Sequence, residues 1–470
     1  MPETMVDKTP TILEASDKNK KQILLWAITI TLPLVLMLVP INEVFTHQIR
    51  LFLAGTLFAI LLFAFELLPQ LIPSLLLPIF YVVSGVAPST AVFGPWATTI
   101  PWMFLGGILL ANTLDSIGLL RRIAYWCIIK TGGTYNGILY GIMFAGIILN
   151  ILIPAQAVIP MAAFTYGICK ALNLGKSKES AGIMLTGAFA ALLPLFFFYN
   201  PNFAIIIGVA SSVHSTPITW LQYFIQNIPN ILWCFLMVFI ISKVFKPDQP
   251  IDCKDYFSGE YGKLGALASG EKKAIFVTSL LVIFLITGGI HGIDIGWGFP
   301  LAAILLYLPG INIGTENDIK RINFSLLFFV TACMGIGAAA NILGLGKMLA
   351  EAVLPLMSSN GIYVTIGLVW LLCVVSNFLL TPLAIFAAFT VPLTEVALKL
   401  DINPMAFYYT IFHGCDQIIM PYEYALVLIF FSFGLIHLKD FIKIFSIKML
   451  LNLIFLLLIL VPYWKFIGLL

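Results

Sequence analysis

Long apolar runs separated by short polar joints dominate this chain, and roughly 20 mostly apolar residues are what a helix needs to cross a bilayer. The runs and their breakers place spans near 23–40, 49–68, 71–87, 99–120, 180–213, 219–245, 273–291, 295–311, 323–345, 403–434 and 444–468, about 11 in all. Two further apolar stretches, 136–172 and 361–398, are too long for one crossing and are interrupted at their middles, by Asn150 with Pro154 and by Ser376 with Pro382. Each reads as a re-entrant hairpin that enters and leaves on one side, because non-helical backbone at membrane depth is tolerated only inside protein or along a wet cavity. The predicted fold class is an all-α polytopic membrane protein.

Composition agrees with the pattern. Of 470 residues, 60% are hydrophobic and 10% charged, whereas soluble domains are about a quarter charged. The mean hydropathy is +1.03. A net charge of +3 is too slight to point to nucleic acid, and the seven scattered cysteines show no metal-ligand spacing. Residues 1–22 are polar and mixed in charge, with no cleavable leader pattern, and read as a cytoplasmic tail. With that tail inside and both hairpins non-crossing, all of the 25 Lys and Arg except Arg50, Lys347, Lys399 and Lys465 fall on the cytoplasmic side. Lys439 and Lys443, ahead of the last span, and Lys448, near its start, count among them. This bias follows the positive-inside rule and puts the C-terminus outside. The chain divides into a first half (23–245), a cytoplasmic linker (246–272) and a second half (273–470).

The halves share landmarks at a nearly constant offset. Gly118 and Gly344, Asn150 and Asn377, Pro194 and Pro421, and Gly208 and Gly434 lie 226, 227, 227 and 226 residues apart. An odd number of crossings separates the two copies, so they are expected to be inverted relative to one another. Inverted repeats with interrupted helices characterise secondary transporters, whose site lies near mid-membrane at the repeat interface.

A hairpin tip in the membrane leaves helix-end N–H groups without partners, and these present partial positive charge to an anion. No Lys or Arg occurs in 131–169 or 348–398. A bound anion would therefore rely on helix dipoles, side-chain donors and a co-bound cation. Asn150 and Gln156 mark the first tip, and Ser376, Asn377 and Thr381 the second. Asparagine can donate to a carboxylate or offer oxygen to a hard cation, so Asn150 and Asn377 are candidate sodium ligands as well as substrate ligands. The long span 180–213 is notched at Pro194 and again at Asn200 and Asn202, two further candidate substrate ligands. Its counterpart 403–434 carries Asp416 and Glu423 on either side of Pro421. Intramembrane acids are functional by default, here as candidate proton carriers.

This order of elements resembles the divalent anion:sodium symporter family over residues 23 to 468. The text is similar at FLGGILLANTLDSIGLLRRIA (104–124), at GEKKAIFVTSLLVIFLITGGIHGIDIGWGFPLAAILLYLPG (270–310) and at LVPYWKFIGLL (460–470). The resemblance implies a homodimer whose protomers each hold a scaffold part and a transport part bearing both hairpins, with elevator-type alternating access. It also implies a Ser-Asn-Thr motif at each tip that binds substrate and sodium together. Here Ser376-Asn377 is followed by Phe378, and Asn150 by Ile151 and Leu152.

The expected activity is secondary active transport of small organic anions, di- or tricarboxylates or another divalent anion such as sulfate, across the cytoplasmic membrane. Coupling is open among sodium, protons and anion exchange. No cofactor beyond sodium is expected, and no nucleic-acid partner. A membrane-embedded enzyme acting on lipid-like substrates is the alternative, but it needs clustered carboxylates or HExxH-type metal ligands that the sequence lacks.

Overall fold

The structure is a computed structural model that describes residues 12–43, 45–65, 67–345, 355, 361–378, 380 and 382–470. The predicted ligand Thr381 lies outside the described residues. Among those residues the protein is helical, with one isolated β-bridge between Thr134 and Asp252. The first half contains α1 (Ile12–Met37), α2 (His47–Ala64), α3 (Leu71–Val83), α4 (Thr99–Ser116), α5 (Leu119–Lys130), α6 (Tyr135–Leu152), α7 (Val158–Ala171), α8 (Lys178–Leu192), α9 (Pro201–Ala210), α10 (Trp220–Asn227) and α11 (Asn230–Val244). The linker holds α12 (Lys254–Lys263). The second half contains α13 (Ser269–Ile286), α14 (Gly298–Leu305), α15 (Phe324–Ile342), α16 (Ile362–Asn377), α17 (Pro382–Lys399), α18 (Pro404–Cys415), α19 (Ala425–Ser432) and α20 (Leu438–Phe455). A π-helical turn, Leu456–Leu460, carries α20 on into a last helix at Val461–Phe466.

Polar residues at the predicted breakers set the helix boundaries. Thr134 caps α6 by accepting from Gly137 N at 3.2 Å, and Ser177 and Ser180 cap one another's backbone at the start of α8. Gly118 has φ +81°, a left-handed conformation that suits glycine, and here the path of α4 turns by 70° into α5. Residues 119–130 are thus a helix rather than the basic loop that the charges Arg121, Arg122 and Lys130 imply. Among the described residues, five helical segments are long and apolar enough to cross a membrane, and seven if each of two sharply bent pairs counts as one span. Several other apolar helices, such as 71–83 and 158–171, fall short of that length.

The most central of the long segments is the first broken helix, 178–210, whose most apolar window is entirely buried in protein; the last, 438–466, buries 44% of its own. Helix α8 packs against both α6 and α7, and α18 packs in the same way against α16 and α17. The continuation of the first broken helix, α9, reaches across to α17 and α15. The two halves therefore meet in part through their interrupted elements, and also where α3 packs on α15 and α4 on α14. The linker is docked as well, since Cys253 N donates to Gly133 O at 3.1 Å and α12 lies on α5.

One very close helix contact joins α4 to α14. A Cβ on Gly106 would sit 2.2 Å from Pro300 N and 2.5 Å from Phe299 C, both backbone atoms, whereas one on Gly107 would meet nothing within 4 Å. Gly106→Ala is expected to cost about 1–3 kcal/mol by overpacking. The check is the thermal unfolding temperature of detergent-purified protein, with Gly107→Ala as a control that leaves it unchanged.

Candidate functional site

The break after α6 is organised by one buried amide. Asn150 Nδ2 donates to Gly146 O (2.9 Å), Ala190 O (3.3 Å) and Ala191 O (3.2 Å), and its Oδ1 accepts from Ala155 N at 3.4 Å. Ala155 is held at φ +63°, an unusual conformation for a residue with a Cβ. Ala190 and Ala191 belong to the last turn of α8, where carbonyls lack helical partners. A Cβ on Gly146 would lie 2.2 Å from Ala190 O, so α6 approaches that break as closely as backbone allows. The amide of Asn150 is thus spent on backbone.

The break after α16 is built the same way. Asn377 Nδ2 donates to Gly414 O (3.0 Å), Cys415 O (3.2 Å) and Gln417 O (3.1 Å) at the end of α18. Each asparagine therefore grips a carbonyl 40 residues further along, Ala190 in one half and Gln417 in the other. Pro194 and Pro421 both enter short 3-10 turns, Leu193–Phe196 and Pro421–Glu423. The asparagines differ in one respect. Asn377 Oδ1 is buried with no partner among the described residues, as is Gln417 Oε1.

Between these breaks lies a small cavity. Leu192, Leu195, Phe196 and Asn202 line it from the first broken helix, Pro382 and Phe386 from α17, and Phe412, Cys415, Asp416 and Tyr424 from the second broken helix. Pro382 is the first residue of α17 and Asn202 the second of α9, so two helix N-termini with their partial positive charge meet here. The free volume is about 30 Å³, the share of one water molecule. The cavity is closed down by its aromatic walls: Phe196 packs edge-on against Phe412 at 5.1 Å and stacks on His413 at 4.2 Å.

The residues singled out from sequence divide into three groups. Asn202 and Asp416 line the cavity. Asn150, Asn377, Asn200 and Glu423 hold backbone: Asn200 donates to Leu195 O (2.8 Å) and Phe198 O (3.0 Å) and accepts from Phe203 N (3.1 Å), while Glu423 accepts from Ile419 N (3.2 Å) and Met420 N (2.9 Å). Ser376 is bonded back to Leu372 O (2.7 Å), and Gln156 is half-exposed at the first break, away from the cavity.

Sequence reasoning missed Lys448. Counted from sequence among the cytoplasmic charges, it is instead buried in α20 with 1% exposure. Its ammonium donates to the Asp416 carboxylate and, at 2.5 Å, to the Asp416 carbonyl. Thirty-two residues separate the two, and only the fold reveals the pair. One turn on, Asn452 accepts from Trp370 Nε1 (3.0 Å) and meets His413 Nδ1 (3.1 Å), which ties α20 to α16 and α18.

Apolar helices, interrupted segments from two halves and a small cavity where they meet, with Asn202 and Asp416 in its largely apolar wall, define a membrane transporter. The profile of the sodium:sulfate symporter transmembrane region matches residues 20–470, and the chain belongs to that family, the divalent anion:sodium symporters. The L-tartrate/succinate antiporter of Shigella boydii is 23% identical over 78% of this chain and 79% of its own length. The putative malate transporter YflS of Bacillus subtilis is 23% identical over 47% of this chain and 48% of its own. The crystal structure of the Alcanivorax borkumensis YdaH transporter shares the fold, with a TM-score of 0.56 and 15% identity over 81% of this chain and 88% of that one. The protein is thus a multi-pass transmembrane anion transporter and not an enzyme.

Proposed function

We propose that this protein carries small organic dianions of the four-carbon dicarboxylate kind across the cytoplasmic membrane by alternating access. The observation that supports this most directly is the cavity where the N-terminus of α9, with Asn202, and that of α17 converge between the two halves. Helix N-termini and an amide are suited to carboxylate oxygens. The tartrate, succinate and malate in the relatives' names are substrates of that size and charge.

In this reading the halves are inverted repeats and the segments 136–172 and 361–398 are re-entrant. They form, with both broken helices, a part that moves elevator-fashion against a scaffold in a homodimer. Asn150 and Asn377 serve it chiefly as braces that keep the breaks open, and the small cavity is a closed stage of the cycle. The N-terminus lies in the cytoplasm; removing Lys448 from the basic loops leaves the charge bias in place.

The test is counterflow of labelled succinate into proteoliposomes loaded with succinate, tartrate or sulfate. Trapped dicarboxylate is expected to drive uptake far better than sulfate, and no counterflow with any dicarboxylate would refute the reading. Asn202→Ala removes a hydrogen bond to a charged group worth about 1.5–3 kcal/mol, so uptake should fall about tenfold or more. The unfolding temperature should not change.

A further inference from the structure

We propose that the Lys448 ammonium is a resident cation of the transport machinery, standing where a bound metal cation would otherwise be required, so that this protein moves its dianion without sodium. The proposal rests on the transport reading above and adds the coupling mode to it.

The oxygens around Lys448 are those a hard cation would seek. Helix α18 ends at Cys415, and the carbonyls of its last turn lack helical partners and carry partial negative charge. Those carbonyls can be accounted for individually. Gly414, Cys415 and Gln417 are taken by Asn377, and His413 O by Gln417 Nε2 at 2.7 Å. The Asp416 carbonyl is taken by Lys448, which also binds the Asp416 carboxylate. One carboxylate oxygen and one main-chain carbonyl are typical donors to sodium-like or calcium-like ions. Here the positive charge that satisfies them is covalently attached.

The pair also belongs to the transport site. Asp416 lines the cavity, and an unpaired carboxylate there would repel a dianion. Lys448 cancels that charge from behind, within a stretch of chain where isolated charge is costly. The first half has nothing equivalent: 227 residues before Asp416 stands Phe189, and 227 before Lys448 stands Leu221. Since Asn452 on the same helix is bonded to Trp370 and next to His413, Lys448 is fixed to the elements it serves and would travel with them.

The experiment compares sodium chloride with choline chloride at equal ionic strength, reading both succinate exchange in proteoliposomes and the unfolding temperature of the purified protein. Wild type is expected to show equal exchange and equal stability in the two salts. Lys448→Met should lose exchange about tenfold or more in choline and regain part of it in sodium, with a sodium-specific rise in unfolding temperature as the vacated oxygens take the ion. If that variant does not fold, D416N/K448M removes both charges and should fold, exchange poorly and ignore sodium. A sodium-specific stabilisation of wild type, or wild-type exchange by D416N/K448M in choline, would overturn the proposal. Failure of wild type to exchange any dicarboxylate would instead count against the substrate reading, and the stability measurement would still decide the role of Lys448.

Discussion

Arg122→Leu is expected to cost about 3–5 kcal/mol, the usual penalty for removing one member of a buried ion pair. Arg122 Nε and Nη2 donate to the two Glu271 oxygens at 2.6 and 3.0 Å. Nη1 and Nη2 also reach the carbonyls of Gly265 (2.9 Å) and Leu264 (3.0 Å), and Glu271 accepts from Ala268 N at 2.8 Å. Side-chain exposures of 8% and 6% put this pair beyond easy rescue by water. It fastens α5 of the first half to the end of the linker and the start of α13, so its loss leaves a buried carboxylate with the Ala268 N–H but no balancing charge, and takes a donor from two carbonyls. Loss should appear as a lower unfolding temperature and poor recovery of monodisperse protein. Lys is not an adequate replacement, because one ammonium cannot serve four acceptors in a planar fork.

The same pair sets a pH limit. Burial raises the Glu271 carboxyl pKa, but the hydrogen bonds and charge of Arg122 with the Ala268 N–H outweigh it and leave the pKa below its ordinary value. A lowered folded-state pKa means that stabilisation is fully present above the unfolded value, near 4.3 for glutamate, and is lost as pH falls through the folded one. Wild-type unfolding temperature should therefore decline on acidification through that range. Glu271→Gln, already destabilised at neutral pH, should show a shallower decline.

Much of this architecture was legible as punctuation in an apolar text. Asn150 with Pro154, Pro194 with Asn200, Asn377 and Pro421 each announce a break, because proline cannot continue a helix hydrogen-bond ladder and a buried asparagine needs backbone to bond. The structure has interruptions at all of these places. What the asparagines do there was less legible: a side-chain amide in a broken helix can face substrate or backbone, and the choice depends on carbonyls 40 residues away. The Asp416–Lys448 pair was hidden for the same reason, since a lysine near the start of an apolar run looks like a membrane-edge anchor until its partner is placed. Helix α5 escaped because Arg121, Arg122 and Lys130 read as loop charges, although Arg122 is 7% exposed against the linker.

Asn150→Asp is expected to prevent accumulation of folded protein although the side chain barely changes in size. An ionised aspartate keeps the oxygen that accepts from Ala155 N but loses the donors, and places negative charge against the carbonyls of Gly146, Ala190 and Ala191. A single buried group left unsatisfied costs about 1–3 kcal/mol, and three carbonyls lose their donor here while a repulsion is added. Asn150→Leu removes the donors without adding charge and should be the milder lesion. Asn377→Asp should behave like Asn150→Asp, because its amide holds three carbonyls at the end of α18. Size-exclusion profiles and unfolding temperatures of the four asparagine variants, Asp and Leu at both positions, rank these effects. If Asn150→Asp instead folded with wild-type stability and lost only transport, the amide would not be the brace of the broken helix, and Asn150 would return to the substrate-contacting role that its place in the sequence first implies.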